Sequence, residues 1–153
     1  MAVTAVSSSS IIGDIVTKIA TFLQSSLTDP RSSRTDSTWV YPSFPDVDVE
    51  YPIVSVTHAG SSDSWTSIGT VYKEVIVTVQ VDVFSKSTKE RDQVWDEIYD
   101  DLRDNFISTI AGGYNLVDMV LLSCFNMDEL APKGAGNIHR KVARINFTFY
   151  ATS

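Results

Sequence analysis

The segment Val71–Phe84 constrains the fold of this chain more than any other. Val75, Val77, Val79, Val81 and Val83 occupy every second position, with Glu74, Thr78, Gln80 and Asp82 between them. Only Ile76 breaks the alternation. A period of two sends successive side chains to opposite faces, so this pattern predicts a strand with one apolar and one polar face. β-Branched valines suit that pleated surface. Such a strand needs neighbours to pair with and a layer to cover its valines.

Two segments have the helical period to supply that layer. Ile11, Ile12, Ile15, Val16, Ile19, Phe22 and Leu23 recur at three- and four-residue spacing and form one stripe. Ser9 or Ser10 can cap its start, and Asp14 suits the positive end of the helix dipole. Ser87 with Glu90 has capping-box spacing and opens a second helix. Val94, Trp95, Ile98, Tyr99, Leu102 and Phe106 make its buried stripe, and Gly112-Gly113 ends the region.

Further strands are expected at Val47–Thr57, at an edge or starting after Pro52, at Leu116–Phe125, and at His139–Tyr150. The last alternates Ala143, Ile145, Phe147 and Phe149 against Arg144, Asn146 and Thr148. Trp39–Tyr41 reads as a short strand broken by Pro42 and Pro45. Ser25–Thr38 is linker-like, Ala59–Thr70 reads as a polar loop, and Asp128–Asn137 as a flexible turn. The expected fold class is α+β, a mostly antiparallel sheet with two amphipathic helices packed on one face. A flexible arm at 1–10 would precede one domain at 11–153, a length that buries a core without staples.

Twelve cations against nineteen acids give a net charge of -7, the wrong balance for gripping phosphates. Simple solubility accounts for this charge as well as a surface past which DNA must slide. The one cysteine, Cys124, rules out an intramolecular disulfide and a cysteine-based metal site. It lies in the apolar run Met119–Phe125 and is expected in the core. No apolar run is long enough to span a bilayer, and Met1–Ser10 lacks signal-peptide character, so synthesis in the cytoplasm is expected.

Chemistry is sparse. His58, Ser61, Ser62 and Asp63 lie close in sequence, but in one polar stretch without a G-x-S-x-G context. His139 sits beside Arg140 and Lys141 and reads as a surface group. The two histidines have no metal-site spacing. Asp46, Asp48 and Glu50 alternate along an extended segment, which reads first as a solvated strand edge. Gly112-Gly113 and Gly134-Ala135-Gly136 match no phosphate-binding loop. Asn146-Phe147-Thr148 has the form of a sequon inside a strand. No catalytic, metal or cofactor-binding residue is assigned, and no enzyme activity is expected.

Two features stand out instead. Asp92, Asp96, Glu97, Asp100, Asp101 and Asp104 crowd the second helix, with Arg91 and Arg103 to balance them. Like charges at i,i+4 cost roughly a few tenths of a kcal/mol each. A solvated face, a wall that repels DNA, a basic partner and adaptation to salt all fit that pattern. Trp65 and Ile68 are apolar residues in a polar stretch, where tryptophan often marks an interface.

The order of segments resembles a known family. An amphipathic first helix is followed by "YPIVSVTHAG", by "KEVIVTVQVDVFSKS", by the helix "TKERDQVWDEIYDDLRDNF" and by the strand "HRKVARINFTFYATS". This is similar to the tail-completion and tail-terminator proteins of long-tailed bacterial and archaeal viruses. The resemblance covers most of 11–150 and rests on order and texture. It implies a homo-oligomeric ring, most often of six subunits, that ends the tail tube and joins it to the head connector. Its implied partners are other copies of itself, the major tail tube protein and the connector, with viral DNA passing through a channel without specific binding. It implies no membrane, no cofactor and no catalytic residues, and a place in the virion at the head-proximal end of the tail. The arm at 1–10, Ala59–Thr70 and Asp128–Asn137 would dock neighbours, giving Asp63, Trp65, Ile68, Lys133 and Asn137 as interface residues. Asp96, Glu97, Asp100, Asp101 and Asp104 would be a candidate channel wall. The alternatives are a neck or head-completion protein on the connector side, or a cellular protein-interaction module.

Overall fold

The computed structural model describes residues 11–45, 49–65, 72–109, 116–129 and 138–152. Among them are two helices, α1 (Ile11–Ser26) and α2 (Thr88–Thr109). The strands are β1 (Val40–Tyr41), β2 (Ile53–Trp65), β3 (Tyr72–Ser85), β4 (Leu116–Glu129) and β5 (Ile138–Thr152). They form one five-stranded sheet in the order β1-β2-β3-β5-β4. Every pairing is antiparallel except the short β1–β2 contact. The fold is α+β, as the periodicities predict.

The valine stripe of β3 is the centre of the core. Val77, Val79, Val81 and Val83 are fully buried, together with Ala143, Ile145, Phe147 and Phe149 on β5 and Val54 and Val56 on β2. Above them α1 inserts Ile15, Ile19 and Leu23, and α2 inserts Ile98 and Leu102. The first helix lies over β1 and β2, the second over β3 and β5, and the two touch each other. Each buried valine, leucine or isoleucine contributes about 1.5–3 kcal/mol of transfer free energy.

The turn into α2 follows its capping signal with one change. Ser87 Oγ accepts the Glu90 amide at 3.3 Å, as a capping box requires. The Glu90 carboxylate takes its bond from the Ser85 hydroxyl at 2.7 Å, and Ser85 Oγ in turn accepts the Ser87 amide at 3.1 Å. The reciprocal half of the box thus passes through Ser85.

Of the two readings of the strand at Val47–Thr57, the later start holds: it begins at Ile53, directly after the cis Tyr51–Pro52 peptide. Two expectations need correcting. The polar stretch from Ala59 is not a loop up to Trp65, because β2 continues through it. A register shift between His58 and Gly60 absorbs Ala59, after which Gly60–Trp65 pair with Thr78–Lys73. A long partner strand thus overrides weak local propensity. Cys124 is exposed rather than in the core, because β4 lies at the sheet edge beyond the strands that the helices cover.

The segment that reads as a linker is tied down by a polar knot. Gln24 Oε1 accepts the Thr38 hydroxyl at 2.7 Å and the amides of Trp39 and Val40, both at 3.0 Å. The Arg34 side chain, 4% exposed, pairs with Asp29 at 2.6 Å. It also donates to the Glu50 carbonyl and, at 2.7 Å, to the Pro52 carbonyl, and lies 5.6 Å from the Trp39 ring centroid. The Glu50 carboxylate accepts the Thr35 hydroxyl at 2.6 Å and the Thr35 and Asp36 amides at 2.8 and 3.1 Å. Arg31 adds an ion pair to Glu50 at 3.1 Å. These bonds, led by the Thr35 hydroxyl, hold the Glu50 pKa down at about 2.

Candidate functional site

Strand β4 presents the most unusual surface. It pairs with β5 along one side and lies at the sheet edge on the other. Val120, Leu122, Phe125 and Met127 are 45%, 53%, 44% and 43% exposed. The same strand turns Met119 and Leu121 toward the core, where both are partly buried. Apolar residues therefore occupy both parities of the strand, while the helices cover β3 and β5 on one face only. Across Leu116–Glu129 there is no lysine, arginine or proline, the residues that ordinarily blunt an edge.

The face of the sheet opposite the helices is polar in the middle. Thr78 donates to Asn146 Oδ1 at 2.6 Å across the β3–β5 pair, which places the asparagine of the sequon within the sheet. Arg144 donates to Gln80 at 3.3 Å, and Gln80 to both Asp82 oxygens at 3.1 and 3.3 Å. Arg140 reaches Asp82 at 3.2 Å and lies 5.2 Å from the Phe84 ring centroid. From there the surface turns apolar toward β4, through Val142 to Phe125 and from Arg140 to Met127, whose sulfur is 3.9 Å from Arg140 Nη1.

The acidic residues of α2 divide by their contacts. Glu97 accepts the Thr28 amide at 2.9 Å and so joins α2 to the chain leaving α1. Asp101 is half-buried, and its Oδ2 is buried without a hydrogen-bond partner among the described residues. Asp92 bridges Arg91 and Lys141, each at 3.0 Å, and these contacts, Arg91 first, lower its pKa. Asp96, Asp100 and Asp104 remain exposed and repeat at i,i+4, a single outward stripe. Arg103 pairs with Asp100 at 2.9 Å and with Asp104 at 3.1 Å, which partly balances the stripe. Of the five acids expected to form a wall, three face outward together.

The other sequence candidates do not converge. His58, Ser61 and Ser62 are exposed along β2, where a rise of about 3.3 Å per residue spreads them out. The backbones of Asp63 and Trp65 lie in β2, opposite Val75 and Lys73. Ile68, Lys133, Asn137, Asp46, Asp48 and the arm at 1–10 lie outside the described residues. Glu50 belongs to the Arg34 knot, and half-buried His139 pairs with Ser85 in the β3–β5 register. The exposed β4 side chains were missed by sequence reasoning. Their signal was the failure of alternation in Met119–Leu122, where four consecutive apolar residues cannot all face one covered side.

No protein-family model matches this chain, and no curated protein matches it.

Proposed function

We propose that this chain is a structural virion protein of the tail-terminator kind. In this reading it forms a ring, six subunits being favoured, that ends the tail tube and joins it to the head connector. The reading comes from the resemblance in segment order, and one structural observation supports it best. The domain carries a long edge strand that has no further strand partner among the described residues and shows four exposed apolar side chains, a surface that suits assembly rather than life as a monomer. The outward stripe of Asp96, Asp100 and Asp104 fits a surface past which DNA moves without sticking.

The test is loss of the gene from the virus that carries it. The proposal expects filled heads beside unattached tails of unregulated length, and joining on addition of the purified protein. Normal particles with normal tails would contradict it.

A further inference from the structure

We infer that β4 of one copy adds to the free outer edge of β2 in a second copy, continuing the sheet from subunit to subunit. The inference deepens the assembly reading above and rests on it only for its place in the virion.

The sheet has two ends. On one side β4 is the last strand, with no further strand partner among the described residues. On the other, β1 pairs only with Val54 and Ser55, so the outer edge of β2 from Val56 to Trp65 has no strand partner among the described residues. That stretch also contains no lysine, arginine or proline. Successive antiparallel pairings from β2 through β3 and β5 leave β4 running opposite to β2. A copy rotated about an axis along the strands therefore sets β4 antiparallel to the neighbour's β2, with both helix layers on the same side. That contact is heterologous, so it repeats from copy to copy and forms a ring where the rotation between copies closes.

The side chains distinguish this from β4 pairing with itself. On the face away from the helices β4 offers Val120, Phe125 and Met127, by register with Asn146, Val142 and Arg140. The same face of β2 offers Thr57, Gly60 and Ser62, which are small, and a Cβ built at Gly60 meets nothing within 4 Å. Large residues would meet small ones. A β4–β4 pair centred on Ser123 would put Asp118 opposite Asp128 at both ends, with no cation on the strand to offset them. Like charges directly opposite across a sheet are destabilising. The free part of β2 carries one acid, Asp63, and the titratable His58.

Cys124 supplies the probe. It pairs with Ala143, so it lies on the helix side of β4, as His58 and Ser61 lie on the helix side of β2, opposite Val79 and Val77. All three are exposed. Facing residues of an antiparallel pair have Cβ atoms about 4.5–5.5 Å apart, within the adjustment a disulfide needs. Two variants, His58→Cys and Ser61→Cys, are oxidised with Cys124 present and again with Cys124→Ser. Non-reducing electrophoresis is expected to show a ladder of dimers, trimers and larger species for at least one variant. The ladder should be lost with Cys124→Ser, and with Phe125→Lys, whose fold is checked by circular dichroism. Dimers alone, formed through Cys124 in the unmodified chain, would overturn the inference in favour of β4–β4 pairing. Absence of any ladder at about 1 mM protein would overturn it as well, since an edge pair of this length should associate at that concentration. A ladder from a chain that is absent from virus particles would remove the virion role and leave the pairing standing.

Discussion

The polar knot around Arg34 and the bare strand β4 solve opposite problems with opposite materials. In the knot, Gln24, Arg34 and Glu50 satisfy amides, hydroxyls and carbonyls of a segment with little regular structure. Its charges pair with one another and with backbone groups beside the start of β2. Strand β4 pairs with β5 on one side, with register shifts at Leu116/Asp118 and Leu121/Ser123, and leaves apolar side chains exposed. One region is finished within the monomer and the other is not. Charge spent on closing backbone groups stabilises a fold, whereas a strand edge without lysine, arginine or proline leaves the fold open to addition.

That contrast can be broken by substitution. The largest effect is expected at the knot: Arg34→Ala leaves Asp29 and two backbone carbonyls without their cation. Breaking such a buried pair costs about 3 kcal/mol after discounting for the partly exposed Asp29, read as a lower urea midpoint. Gln24→Ala takes the side-chain acceptor from the Trp39 and Val40 amides, while the Thr38 hydroxyl keeps the Val40 carbonyl, and is expected to cost about 2 kcal/mol by the same measurement. On β4 the prediction reverses. Phe125→Ser and Leu122→Ser should change monomer stability by no more than about 0.5 kcal/mol, while lowering the oligomer fraction seen by sedimentation at least tenfold. A stability loss on β4 as large as that at Arg34 would erase the distinction.

Acid offers a finer cut. The Glu50 pKa is depressed, so its contribution to stability is fully present above the unfolded value near 4.5 and is lost as pH falls toward about 2. Trp39, packed beside Arg34, should report loosening of the knot in that window, and Glu50→Gln should flatten the titration. The pairing of β4 with β5 runs through backbone hydrogen bonds along the strands and should persist through the same range.

The core was largely legible in the sequence, because the period of two in β3 and β5 and the helical stripes of Ile15–Leu23 and Val94–Leu102 report burial directly. The extension of β2 through Ser61–Trp65 was not, since serines pair there only because β3 is long enough to hold them. Nor was the knot. Arg34 acquires its role by meeting Asp29, Trp39 and the carbonyls of Glu50 and Pro52, an encounter that no local pattern encodes. Cys124 read as core because an apolar run does not say how far a helix layer reaches. The acidic stripe was visible as composition, but its division into Glu97 as a clamp and Asp96, Asp100 and Asp104 as an outward face required the fold.

The most direct measurement is electron microscopy of virus particles labelled with a gold-conjugated antibody to this chain. The account predicts label confined to the junction of head and tail. Label along the tube, at the distal tip, or on no particle at all would contradict it.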